Sequence, residues 1–421
     1  MHNTNTIKRQ TKYKYIKLQN KHYKKTKTKT KTHTKHNAIT DNKDNKDNKD
    51  DNKYSKQFII SSKTNMAGLD YSSLRYCLKQ YGLTETFNPK SHPLVLWLEQ
   101  LDNNLFDKKY YYTRCFIMNI LSDEKTIITD KYQLYVNFNK YYPKECKQYM
   151  AETWDFRDFI KNNNNVFNTV VNNVVNTDSN NNPNPNPNPN PNPNPNPNPN
   201  PKSKVYIVRP VGKGAFSGKD IIRVYDNTTL QKAKSLLHKK YDNIIISEYI
   251  TNPMLYNGHK FHLRTYFLIS IINGKYKTYF YDIYELFTAL NPYTNNDYTD
   301  TNTHDTHFKS TPRDILCPYD LDSTQQNIFR KYIYPKMQTC MTYISKLMET
   351  HTKPYAQAEN AFEIFGCDFL VKDNYDVVLM EINDKTGFTM HKLKNKQRFS
   401  KLYLNIINNM IIKAINKNIE T

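Results

Sequence analysis

The segment from Phe362 to Asn383 constrains the fold of this chain more than any other. Phe362-Glu363-Ile364-Phe365-Gly366-Cys367-Asp368-Phe369-Leu370 and Val377-Val378-Leu379-Met380-Glu381-Ile382-Asn383 are two apolar runs joined by the tight polar stretch Asp373-Asn374-Tyr375-Asp376. That is the pattern of a β-hairpin. Symmetry about the polar stretch sets Asp368 opposite Glu381. Alternate residues of a strand share a face, so Asn383 joins them, while Cys367, Phe369, Met380 and Ile382 turn toward a core. Two carboxylates and an amide converging from a sheet form an all-oxygen cluster, which suits a hard cation such as Mg2+ held together with substrate phosphates. Asp368, Glu381 and Asn383 are therefore candidate metal ligands, and a nucleotide-binding element is expected upstream.

Much of the remaining chain has little to bury. Of the net charge of +22, residues 1–65 carry +13, from 18 Lys and Arg against 5 Asp. This stretch, with its Thr-Lys alternation and the Asp-Asn-Lys repeat from Asp41 to Lys53, cannot offset its ordering entropy and is expected to be a disordered basic tail. Its charge would attract a polyanion such as nucleic acid. Between Pro183 and Pro201 ten prolines alternate with Asn, so residues 181–202 read as an extended spacer or loop insertion. The six cysteines are scattered without CxxC pairs, which implies neither a disulfide framework nor a zinc site. The absence of a membrane-length apolar run or a signal-peptide pattern points to an intracellular, cytoplasmic protein with no membrane partner.

Residues 66–180 mix helical and strand patterns, with a strand at Leu94–Leu98 and a helix around Gln133–Tyr141. Residues 203–421 are the clearest globular part. Strands are expected at Val205–Val208, Ile221–Tyr225 and Asn243–Ser247, and a helix at Thr229–Lys240. A hairpin is expected from Phe261–Ile272 and Tyr276–Ile283 around Asn273-Gly274. A long helix over Ser323–Thr350 would bend at Pro335. Asn162–Asn182 and Asn291–Lys309 read as insertions. His304, His307 and His391 lack metal-ligand spacing and are expected in loops. The fold class is α+β with mostly antiparallel sheets.

The first strand of the globular part delivers Arg209 into Pro210-Val211-Gly212-Lys213-Gly214-Ala215-Phe216-Ser217-Gly218. Glycines let backbone N–H groups approach phosphates, and Arg209 and Lys213 supply charge. This is neither a Walker A loop nor a dinucleotide fingerprint. The strand Ile244-Ile245-Ile246 runs into Ser247-Glu248-Tyr249-Ile250, a suitable place for backbone groups to meet an adenine edge. In the next strand Lys260, His262 and Arg264 share one face.

Taken in order, these elements resemble the ATP-grasp ligases and, among them, the tubulin–tyrosine ligase-like family. The resemblance rests on the strand and glycine-bearing loop, Glu248-Tyr249-Ile250-x-Asn252-Pro253, Lys260-Phe261-x-Leu263-Arg264, Phe365-Gly366-x-Asp368-Phe369 and Glu381-Ile382-Asn383. Asp130-Lys131 and Met150-Ala151-Glu152-Thr153-Trp154 form a weaker echo upstream. The resemblance implies an ATP-grasp fold and an ATP-dependent ligase that joins a free amino acid to a protein or peptide carboxylate, such as a tubulin tail, through an acylphosphate. It assigns ATP and two Mg2+ ions as cofactors, with Asp368, Glu381 and Asn383 on the metal. Arg209, Lys213, Gly214, Glu248, Tyr249 and Ile250 would contact the nucleotide, and Lys260 and Arg264 would be catalytic. The sequence departs from the family pattern on the substrate side. Arg209 stands for a usual Lys, His262 for a usual Asp, and Tyr284–Leu290 lacks an expected Arg. Such departures leave two rival readings, a pseudoenzyme that binds nucleotide without ligating, and a polyanion- or microtubule-binding protein driven by its basic tail.

Overall fold

A computed structural model describes residues 55–61, 72–86, 93–98, 117–118, 125–162, 204–212, 220–239, 241–295, 297–306, 321–351, 360–384, 400–401 and 404–412. In chain order the elements are β1 (Ser55–Ser61), α1 (Ser72–Gln80), β2 (Thr84–Glu85), β3 (Pro93–Leu98) and β4 (Ile117–Met118). They continue with α2 (Lys131–Tyr141), α3 (Pro143–Tyr149), β5 (Thr153–Asp155), α4 (Phe156–Asn162), β6 (Tyr206–Val211), β7 (Ile222–Val224), α5 (Asn227–Lys234) and β8 (Asn243–Glu248). The last group is β9 (Leu255–Tyr256), β10 (His259–Ile272), β11 (Lys275–Thr288), α6 (Thr301–His304), α7 (Ser323–Ile328), α8 (Tyr334–His351), β12 (Asn360–Val371) and β13 (Val377–Asn383).

Among the described residues these strands build two sheets. The larger has the order β11-β10-β12-β4-β3-β1-β2, with β13 also beside β12 and β9 beside β10; the smaller has the order β5-β8-β6-β7. Pairing is antiparallel throughout the smaller sheet and among β9 to β13. With the helices, this is an α+β arrangement. The N-terminal strands differ, because β1, β2, β3 and β4 pair parallel and β4 joins β12 parallel. A boundary at residue 65 therefore cuts the fold. Phe58, Ile59 and Ile60 are apolar in a row and buried, so β1 is recruited into the sheet despite the polar sequence before it.

The β10–β11 turn follows from its residues. Asn273 and Gly274 both have positive φ, 49° and 70°, as a two-residue hairpin turn demands. One face of the resulting sheet places Phe261, Leu263, Phe267, Phe365, Cys367 and Phe369 against Leu134, Phe138, Met337 and Ile344 of the helices. The opposite face begins apolar, where Tyr266, Leu268, Phe362 and Ile364 meet Phe58, Leu74 and Ile406. Toward the C-terminal end of β12 that same face becomes charged, and the candidate site lies there. The smaller sheet has its own core, in which Val208, Val224 and Ile246 pack with Phe156 and Leu230.

Two helices depart from expectation. The run over 323–351 is α7, a π turn at Phe329–Ile333, then α8. Pro335 has no N–H for the carbonyl one turn back, and the widened turn sits at that break. The helix expected at Thr229–Lys240 begins at Asn227, capped by Asp226 in a reciprocal box with Thr229, and tightens to a 3-10 turn at Ser235–His238. Among the described residues no helix is long and apolar enough to cross a membrane.

Candidate active site

The β12–β13 hairpin does set Asp368 opposite Glu381 and Gly366 opposite Asn383. The route differs from simple symmetry. Lys372 N–H donates to the Asp376 carbonyl at 2.8 Å, leaving only Asp373, Asn374 and Tyr375 in the turn, with Tyr375 left-handed at φ 64°. Near the turn the pairs are therefore Phe369–Leu379, Leu370–Val378 and Val371–Val377, and the register then shifts by one residue at Met380. Met380 is thus an extra residue in β13, a β-bulge. Were Met380 paired with Asp368 in the regular register, Glu381 would face Cys367, on the core side. Met380 itself was expected in that core, and instead it is half-buried and lines a cleft.

The charged row extends across the sheet. Arg264 of β10 is in register with Asp368 on one side and with Glu285 of β11 on the other. Asp368 is fully buried, and Arg264 grips it with two hydrogen bonds, Nε to Oδ1 and Nη2 to Oδ2, the second at 2.8 Å. Burial works against the Arg264 charge, but the Asp368 carboxylate outweighs it and holds the guanidinium above its ordinary pKa. Gly366 leaves room for this side chain, since a Cβ there would lie 3.1 Å from Arg264 Cδ and 3.4 Å from its Nε. Glu285, also buried, was missed in the sequence, where it reads as one more polar position in an alternating strand.

At the end of the row, Glu381 accepts from Lys131 Nζ at 2.5 Å and from Asn383 Nδ2 at 3.0 Å. Burial raises the Glu381 carboxyl, and Lys131 more than offsets this, so its pKa lies below the ordinary carboxylate value. Asn383 spends its N–H on Glu381, which leaves its amide oxygen as the atom to meet a cation. The donor set is all oxygen, as Mg2+ requires. Among the described residues no group of three or more His, Cys, Asp or Glu is placed to hold a metal ion, and the set here is two carboxylates and an amide.

Beside this row a cleft, open to solvent, lies between the two sheets. Arg209, Ser247, Glu248, Tyr249, Ile250 and Lys260 line it together with Lys131 and Met380. The aliphatic part of its wall comes from Ile207, Leu370, Val378 and Leu379. Arg209 Nε is buried without a hydrogen-bond partner among the described residues. Burial lowers the Arg209 pKa, partly opposed by the Glu381 charge. A buried guanidinium N–H with no acceptor fits a site for an anion. Lys213 and Gly214 lie outside the described residues.

Lys260, His262 and Arg264 are all buried rather than forming an exposed basic face. Lys260 Nζ donates to Tyr249 Oη at 2.7 Å and stands 4.2 Å from the centre of that ring. Burial, helped by Arg223, brings the Lys260 amine down to about 7. His262 bonds Thr306 Oγ1 through Nδ1 at 2.6 Å and stacks on Phe287 with ring centres 4.9 Å apart. His304 is not a loop residue; it ends α6, buried, with both ring nitrogens hydrogen-bonded. His307 and His391 lie outside the described residues.

Residues 126–419 match the family model described as the tubulin-tyrosine ligase family. The chain belongs to that family. Among curated proteins it is 29% identical to Tubulin glycylase 3B of Drosophila melanogaster over 185 residues, 39% of this chain and 23% of that protein. It is 26% identical to the Probable tubulin--tyrosine ligase PBY1 of Saccharomyces cerevisiae over 193 residues, 42% of this chain and 25% of that one. Protein polyglycylase TTLL10 of Macaca fascicularis is 24% identical over 210 residues, 43% and 34% of the two chains. The aligned stretch thus spans a quarter to a third of the length of these relatives. The match to the tubulin-tyrosine ligase family begins just before α2, so Lys131 and the whole cleft fall within it.

Proposed function

We propose that this chain is an ATP-dependent carboxylate–amine ligase of ATP-grasp fold, adding an amino acid to a protein or peptide carboxylate, with tubulin tails as the first candidate acceptors. The observation that carries this reading is the wall of the cleft. Arg209 of β6, its Nε without a hydrogen-bond partner among the described residues, lines it together with Met380 of β13, the chain neighbour of Glu381, and the two strands belong to different sheets. A cation for phosphate on one wall and hard oxygen ligands on the other is what a magnesium-bound nucleotide needs.

In this reading Glu248, Tyr249 and Ile250 hold adenine, and Arg209, Lys213, Gly214, Lys260 and Arg264 meet phosphate. Asp368, Glu381 and Asn383 would hold Mg2+, whose charge offsets that of the phosphates. An oxygen of the substrate carboxylate bonds to the γ-phosphorus as the bond to the leaving ADP breaks. An amine then bonds to the acyl carbon, phosphate departs with its electron pair, and the nitrogen loses a proton. The contribution of the chain is orientation, charge neutralisation and exclusion of water.

The complete engagement of Asp368 by Arg264 favours a second reading, nucleotide binding without ligation. The deciding experiment is Mg2+-dependent ATP binding and turnover by the full chain and by Glu381→Gln, repeated with tubulin and labelled glycine, tyrosine or glutamate. Metal-dependent turnover that falls in Glu381→Gln and labels tubulin supports the ligase and its acceptor. Tight binding with no product supports the second reading, and no ATP binding overturns both.

A further inference from the structure

The segment Asn291–Lys309 reads as an insertion, yet its described part brings a histidine against Tyr249 of the cleft wall. His304 Nε2 lies 2.6 Å from the backbone carbonyl of Asp297. A carbonyl can only accept, so Nε2 carries the proton and Nδ1 is left as an acceptor. Nδ1 is 2.8 Å from Tyr249 Oη, so the phenol donates to it. The Tyr249 oxygen is then turned to accept from Lys260 Nζ at 2.7 Å. The direction of every proton in this buried chain follows from one backbone carbonyl.

We propose that His304 is a positioning residue for Lys260, acting through Tyr249 to keep the phenol oxygen, and not its proton, toward the amine. The proposal rests on the reading that Lys260 serves the nucleotide. With the His304 acceptor removed, the Tyr249 proton is released to turn to the Lys260 nitrogen. That favours the neutral amine, which can accept, over the ammonium, which cannot. Other charges facing Lys260 come from Arg223 of β7, which opposes its protonation, and Asp305, which supports it. Arg223 and Lys260 also push the His304 imidazole down, after burial, to about 4. His304 therefore stays neutral and keeps its Nδ1 acceptor over the working range of an enzyme. Tyr293, whose hydroxyl donates to the Thr251 carbonyl at 2.9 Å, and Tyr298, stacked on His304 with ring centres 5.3 Å apart, hold the ring in place.

The test uses two substitutions in the full chain. Asparagine at 304 can reproduce the Nδ1 acceptor, whereas glutamine reproduces the Nε2 donor and loses the acceptor. His304→Gln should weaken magnesium-ATP binding by roughly tenfold, the scale of one buried hydrogen bond, and His304→Asn should remain close to the parent. A 13C NMR titration of the Lys260 side chain, assigned with Lys260→Arg, should move to lower pH in His304→Gln alone. Equal ATP affinities in the two variants, or Lys260 titrations that coincide with the parent, would overturn the proposal. If the parent binds no ATP, the nucleotide reading fails, and the Lys260 titration decides the relay by itself. Displacement in the glutamine variant only supports it, and identical curves refute it.

Discussion

Glu381 faces Asp368 because Met380 is one residue more than β13 needs to pair with β12. Deleting Met380 should close the bulge and still leave Glu381 opposite Asp368, since Leu379 pairs with Phe369 and the next residue then pairs with Asp368. Met380→Leu, with similar volume, should cost under about 1.5 kcal/mol, and magnesium-ATP binding should survive in both variants. Urea unfolding and calorimetry measure this, and loss of ATP binding in the deletion alone would show that the bulge itself, and not only the pairing, shapes the site.

Gly366→Ala places a methyl group where the Arg264 stem lies, at 3.1 Å from its Cδ. Displacing a well-packed, paired side chain should cost about 1–3 kcal/mol and loosen the grip on Asp368. The stability loss should be accompanied by weaker magnesium-ATP binding in calorimetry. Unchanged values for both would show that the guanidinium has room to spare.

Arg264→Met and Asp368→Asn should each destabilise by about 3–5 kcal/mol, since each strands a buried partner. The double variant should recover part of that stability, because neither member of the pair is left without the other, but ATP turnover should stay lost. A double-mutant cycle in urea with ATPase assays checks both arms. Additive losses would mean that the pair does not act as a unit.

Lys260 sets a pH dependence. Its amine is held at about 7 when folded, against an ordinary 10.5. The unfolded chain therefore binds more protons between those values, so stability from this group rises with pH across that window and is lowest below it. Lys260→Met should be more stable than the parent near neutral pH, by on the order of a few kcal/mol, with the gap closing toward pH 10. Urea midpoints at about pH 6, 8 and 9.5 measure the gap, and a constant difference would show that the amine does not titrate there.

The sequence made the local parts of this fold legible. Asn273-Gly274 announced its turn, the apolar run Ile244-Ile245-Ile246 its strand, and the alternation about Asp368 and Glu381 their shared face. What it concealed was decided by backbone conformation or by distant partners. The left-handed Tyr375 shortens the turn and the bulge at Met380 compensates, so two departures cancelled in the expected pairing. Glu285 has the same alternating signature as any surface strand residue. His304 sits among Asn, Asp and Thr that favour turns, and its partner Tyr249 is 55 positions away, beyond the reach of any periodicity. Phe58-Ile59-Ile60 is only three residues long, too short to stand out from a polar tail.

The charged row also has a history written into the order of its strands. Arg264 precedes Asp368 by 104 residues, an interval of roughly 5–20 s at ordinary rates of synthesis. Glu285 arrives within the same hairpin, directly opposite Arg264. A nascent chain thus meets the buried cation first with the carboxylate of β11, and the carboxylate of β12 comes later. Glu285 is the carboxylate made first in register with Arg264, and Asp368 is the one that grips it in the finished protein.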